Sequence, residues 1–233
     1  MRSRIYVAVL SAVLVMLSTN ALADETLESV EKKIVGNWTK LTSMSAKTTT
    51  EMIHPSMSMK SEGTLEYLSQ DGKELFRLEM KVDQEMAGQK TQGTITSVAD
   101  GEFVYNVTDM MGQTMAIKQK GDSFQNFPGG RQMFDNLREK NTLQLLPDEK
   151  LGDQVTYVIE VKPKEASPSP MARMKLFFAK DTGMVVKMMA FDSGEQPMMT
   201  ATYHDVTLNP KISPDRFVFT APEGVQVMDM TGR

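Results

Sequence analysis

Two histidines, one Asp-Thr-Gly triplet and several close methionine pairs are this chain's candidates for catalysis or metal binding. Asp181-Thr182-Gly183 matches an aspartic-protease half-site, but that reaction needs two such carboxylates facing each other and sharing a proton. A single triplet, preceded by Lys180 and set between two apolar alternating runs, reads instead as a hairpin turn. His204 and Asp205 are chain neighbours, so on a strand they point to opposite faces. No Gly-x-Ser-x-Gly elbow presents a nucleophile to either His54 or His204. No metal-ligand spacing or Gly-rich phosphate loop occurs, so neither an enzyme nor a cofactor is expected. Met57-x-Met59, Met228-x-Met230 and the pairs Met110-Met111, Met188-Met189 and Met198-Met199 are soft thioethers that could hold Cu(I) with His54 or His204. They are spread along alternating segments instead of gathered in one loop, which suits an apolar lining better than a metal site. Asn37-Trp38-Thr39 and Asn106-Val107-Thr108 match the glycosylation sequon, a short and weak match.

Methionine is the compositional oddity. The 233-residue chain holds 21 methionines, one tryptophan and no cysteine. Methionine is unbranched and polarizable and is over-used where varied apolar partners must fit. The first 23 residues read as a cleavable export signal: Arg2 and Arg4, an apolar run from Ile5 to Leu17 broken only by Ser11, then Ala21-Leu22-Ala23 before Asp24-Glu25. That run is well short of the roughly 20 residues that span a bilayer. Without the two leader arginines the formal charge moves from −4 to −6, which does not suit a nucleic-acid binder. Asp24, not cysteine, follows the cleavage site, so the mature protein is not expected to be lipid-anchored by that route and should be free in its compartment; a monomer is expected.

A small set of elements must hold these residues in place. Leu27, Val30, Ile34, Trp38 and Leu41 recur at helical spacing and predict an amphipathic helix over about 25–42. The period then becomes two. Alternating runs predict strands at 44–52, 57–67, 76–82, 94–98, 103–107 and 115–117, with Asp71-Gly72 and Asp100-Gly101 as turns. Phe127-Pro128-Gly129-Gly130 interrupts the sheet. Met133, Phe134, Leu137 and Leu143 predict a second, shorter helical stretch. Strands resume at 154–161, 171–179, 184–191 and 198–208, with a short last one at Phe217-Val218-Phe219; Lys162 to Pro170 is a surface loop. The sum is one mature domain, residues 24–233, mostly β in an α+β arrangement. About ten antiparallel strands must curl to keep an apolar face dry, and the helices are its natural cover. The expected architecture is therefore one curled antiparallel sheet with helices over its concave face.

At the C-terminus Thr202-Tyr203-His204-Asp205-Val206-Thr207-Leu208-Asn209-Pro210, followed by Asp215-Arg216-Phe217-Val218-Phe219-Thr220-Ala221-Pro222-Glu223-Gly224-Val225, resembles the ending of the LolA family of periplasmic lipoprotein carriers. Asp100-Gly101 leading to Tyr105-Asn106, Gly63-Thr64-Leu65 before a hairpin, and the opening helix are similar to the family's order of elements. The resemblance implies a lidded, unclosed barrel that shelters lipoprotein acyl chains, takes them from an inner-membrane release complex and passes them to an outer-membrane acceptor. A sensor that binds lipidated or misfolded envelope proteins on the same fold is the alternative function. The family's lid-latching arginine has no counterpart at Ser69-Gln70-Asp71-Gly72-Lys73, and lysine lacks the planar fork.

The expected lining is Met57, Met59, Leu65, Tyr67, Phe76, Leu78, Met80, Phe103, Tyr105, Met115, Ile117, Met174, Leu176, Phe178, Val186 and Met188. Alternation alone describes an ordinary sheet core beneath helices equally well; the resemblance turns it into a lipid-binding wall. Burying one chain of roughly 16 carbons is worth on the order of 12 kcal/mol. A carrier must let go, and a wall of soft methionines that leaves part of the chain wet lowers that gain.

Overall fold

The computed structural model describes residues 25–121, 132–165 and 170–232; the expected export signal and the Phe127–Gly130 break lie outside them. Helix α1 spans Leu27–Trp38, and the Thr26 side chain caps it by accepting from the Ser29 N–H. Strands β1 (Ser43–His54), β2 (Met57–Gln70), β3 (Lys73–Met86), β4 (Gln89–Ala99), β5 (Phe103–Met110) and β6 (Gln113–Lys120) follow. Then come α2 (Met133–Lys140), β7 (Asn141–Leu151), β8 (Gln154–Pro163), β9 (Met171–Ala179), β10 (Val185–Asp192), β11 (Pro197–Leu208), a 3₁₀ turn at Pro214–Phe217 and β12 (Val227–Asp229).

All twelve strands form one sheet in the order β12-β6-β5-β4-β3-β2-β1-β11-β10-β9-β8-β7. Each short turn joins neighbours, so β1–β6 and β7–β11 are two antiparallel meanders. They meet where β1 pairs with β11, and the sheet remains open between β12 and β7. Among the described strands only β12 runs parallel to its neighbour, pairing Val227–Asp229 with Ala116–Lys118.

One face carries the main core. Val30, Ile34 and Trp38 of α1 and Met133 and Phe134 of α2 pack with Leu65, Tyr67, Phe76, Ile159, Leu176 and Phe178. The Trp38 and Tyr67 rings meet edge to face at 5.4 Å between centroids, and Phe134 lies 5.9 Å from Phe178. The opposite face holds a smaller cluster of Val158, Phe177, Ala179 and Val186.

Gly63 and Gly93 lie on the helix-covered face, where neighbouring strands crowd. A Cβ at Gly63 would collide with the Glu79 carbonyl oxygen, and one at Gly93 with the Asp109 carbonyl. Glycine at such points lets a sheet bend sharply toward its own concave side.

Among the described residues the sheet has twelve strands where about ten were expected. Two expectations need correction. Phe217-Val218-Phe219 is not a strand: Ser213 caps a 3₁₀ turn by accepting from the Asp215 N–H, Phe217 is buried, and Phe219 stacks on Tyr105 at 4.3 Å. Its alternation reflects packing onto the sheet's outer face. Leu143 belongs to β7, not to the second helix. Pro147 hid that strand; a proline is tolerated there because β7 is an edge and its pairing with β8 is irregular between Leu146 and Glu149.

Candidate functional site: a methionine-lined concave wall

In an antiparallel sheet, residues directly opposite each other share a face. The register therefore sorts the expected lining. Tyr67 pairs with Phe76, Leu65 with Leu78, Gly63 with Met80 and Met57 with Met86; Met59 pairs with Met52. Across the junction, Leu176 pairs with Met188, and Tyr157 and Ile159 with Phe178 and Leu176. Met57, Met59, Leu65, Tyr67, Phe76, Leu78, Met80, Met115, Ile117, Met174, Leu176, Phe178 and Met188 all fall on the helix-covered face.

Phe103, Tyr105 and Val186 fall on the other side. Val104 is the residue of β5 that joins the main core, so Phe103 and Tyr105 face outward. There Lys118 Nζ sits 3.6 Å from the Phe103 ring centroid, and burial followed by nearby acidic groups raises the Tyr105 phenol pKa. A break in the β9–β10 pairing between Val185 and Lys187 shifts parity within β10. Val185 joins the main core, whereas Val186 joins the smaller cluster. A one-residue irregularity of this kind moves a side chain to the opposite face.

The concave wall has two halves. Beneath the helices it is closed: Trp38, Tyr67, Leu176 and Phe178 are fully buried. Toward the β1–β2 and β3–β4 hairpin tips the helices no longer cover it. There the same face carries Met52, Met57, Met59, Met80, Met86, Met110, Met115 and Met199, half-buried or exposed. The expected lining includes only four of these eight. The other four, Met52, Met86, Met110 and Met199, are reached by carrying the alternation to the strand ends.

Polar groups also sit on this wall. Thr48 pairs with Tyr203 and Thr50 with Ala201, while Thr50 also faces Ser61 on β2. Burial pushes the Tyr203 phenol pKa up to about 12. Ser97 Oγ donates to Asn106 Oδ1 at 2.6 Å. Ser61 Oγ is buried and, among the described residues, finds no hydrogen-bond partner.

Two ionic ties hold the cover. Arg138 of α2 hydrogen-bonds to the buried Glu31 of α1. Glu25 accepts from Lys33 and from Lys180, 3.1 Å away, and from the Tyr157 hydroxyl at 2.9 Å. The Lys33 hydrogen bond, helped by Lys180 and Tyr157 and opposed by desolvation, lowers the Glu25 pKa to about 2. Neither tie was legible from spacing, because Glu31 and Arg138, and Glu25 and its partners Tyr157 and Lys180, are more than a hundred positions apart.

The other candidate groups fall elsewhere. A charged cleft of about 680 Å³ opens at the hairpin tips. Most of its lining, including Glu51, Lys60, Asp83, Glu85 and Lys90, belongs to the outward-facing register, and Met52 and Met59 of the methionine wall border it as well. Pairing sets His54 beside Met57, but its Nδ1 is 3.0 Å from Ser56 Oγ. Asp181-Thr182-Gly183 forms the β9–β10 turn, with the Asp181 carboxylate accepting from the Thr182 N–H. Among the described residues no group of three His, Asp or Glu side chains could hold a metal ion, and no helix is long and apolar enough to cross a membrane.

No family model matches the chain. An uncharacterized protein of Methanocaldococcus jannaschii is 26% identical over 132 residues, which is 56% of this chain and 37% of that relative. Thus the chain matches well under half of that curated relative's length. Among solved structures, an uncharacterized conserved protein from Thermus thermophilus superposes with a TM-score of 0.56 at 12% identity, over 87% of this chain and 98% of that one. Fainter likenesses include the Mycobacterium tuberculosis lipoprotein LppX (TM-score 0.43, 12% identity, 82% of this chain and 100% of that one). Another is a LolA superfamily protein from Nitrosomonas europaea (TM-score 0.34, 12% identity, 84% and 98%). The fold of this chain is thus an unclosed antiparallel β-barrel, a twelve-stranded sheet with two helices across its concave face.

Proposed function

We propose that the protein binds the acyl chains of lipids or lipoproteins along its concave wall and carries them through the periplasm toward the outer membrane. The observation that carries this reading is the row of methionines on the uncovered half of the wall. An apolar surface left half-wet on one side of a sheet marks a place for an apolar partner, and thioethers adapt to chains of differing length and branching. The helix-covered half anchors the wall, and the open half lets cargo enter and leave. Binding without chemistry suits the site, whose groups are thioethers, aliphatic side chains and hydroxyls. An inner-membrane release complex and an outer-membrane acceptor would be the partners at either end.

Mass spectrometry of the native protein taken from its host's periplasm, before and after organic extraction, tests the reading. Co-purified diacyl species or a lipidated peptide is the expected result. A lipid-free mass, together with failure to take up a fluorescent acyl probe, would overturn it.

A further inference from the structure

The wall contains a hydroxyl that an acyl-lined surface does not need. Ser61 lies on β2, on the concave face, between Thr50 of β1 and Val82 of β3. It is 1% exposed, and among the described residues its Oγ has no hydrogen-bond partner. A buried hydroxyl left unpaired destabilises the fold; alanine in the same place would carry no such penalty. The other buried serine of this face, Ser97, shows the usual outcome, since its hydroxyl is satisfied by Asn106.

The surroundings of Ser61 favour a ligand over packing as its role. Thr50 is its direct cross-strand neighbour, and Thr48 lies two residues further along on the same face beside Tyr203. This short polar band crosses β11, β1 and β2. Met59 lies two residues from Ser61 on β2, and Met80 two residues from Val82 on β3, both on the same face. Resting on the acyl-binding reading above, we infer that the band is the docking point for a carbonyl oxygen at the head of the acyl chain, and that the Ser61 hydroxyl donates to it. The hydrocarbon then runs along the methionines toward the hairpin tips. The cargo is thus an ester-linked or amide-linked acyl chain, not a bare hydrocarbon. The flexible thioethers beside Ser61 can move aside to admit it.

Three pyrene-labelled probes of equal chain length test this on the full mature chain: an acyl methyl ester, the matching N-methyl amide and the plain alkane. The wild type should bind the ester or the amide more tightly than the alkane, and the tighter of the two names the linkage. In Ser61→Ala that preference should fall about fivefold to tenfold, the worth of one hydrogen bond. Its Tm should be equal to or above that of the wild type, which a purely structural serine would not allow. A carbonyl preference unchanged by Ser61→Ala, or absent from the wild type while all three probes bind, would overturn the docking point and leave the carrier intact. If the wild type binds none of the probes, both readings fail.

Discussion

Glu25 shows how much of this fold depends on single side chains that no periodicity announces. It stands next to the expected start of the mature chain, yet it reaches Lys180 and Tyr157 from the second meander. Its folded pKa of about 2 lies below the ordinary carboxylate value. Its contribution is therefore complete above about pH 5 and lost as the pH falls toward 2. Glu25→Gln should lower Tm by about 2–4 °C at pH 7, since the cluster is partly exposed and screened. Thermal melts of both proteins across pH should show that gap closing in acid; a gap constant with pH would refute the assignment. Glu31 poses a sharper test, because its side chain is only 9% exposed and Arg138 is its partner. Arg138→Ala strands a buried carboxylate and should cost about 1–3 kcal/mol. Glu31→Gln in the same background should recover much of that loss, which denaturant melts of the single and double variants would read.

Among the elements, the C-terminal segment matters more than its lack of regular structure suggests. After β11 the chain crosses the outer face. Arg77 donates to the Arg216 carbonyl at 3.0 Å, and Arg216 pairs with Glu66 at 2.8 Å. Phe217 is 2% exposed while its neighbour Val218 is 63% exposed. Phe217→Ala should thus cost about 3–5 kcal/mol, and Val218→Ala no more than about 0.5 kcal/mol; equal losses in denaturant melts would contradict this packing of the segment on the outer face. β2 offers a second case. Gly63→Ala should destabilise by about 1–3 kcal/mol, because the added methyl meets backbone and not a flexible side chain.

For the molecule as a unit, the decisive feature is the division of one concave wall into a packed half and a methionine half. Met80→Glu puts a charge on the open half and should weaken acyl-probe binding at least about tenfold. Met111→Glu, at an exposed turn, should leave binding unchanged. Fluorescence titration of both variants separates a specific wall from general surface hydrophobicity.

Local sequence alone is enough to set the helix carrying Val30, Ile34 and Trp38, the meander from β1 to β6 and the hairpin at Asp181-Thr182-Gly183. Each is written in periodicity and turn chemistry, which act over a few residues. The expected faces of Met57, Met80 and Leu176 follow from the same alternation. The rest emerges only once the sheet is assembled. Assembly closes β1 on β11, turns Phe103, Tyr105 and Val186 away from the wall, lays Phe217 and Phe219 on the outer face, and pairs Glu31 with Arg138. Those outcomes depend on a break in cross-strand register, on which side of a strand meets the helices, and on contacts between residues far apart in the chain. A period of two tells that two faces exist; which face becomes the inside is fixed only when the sheet bends and the helices settle against one of them.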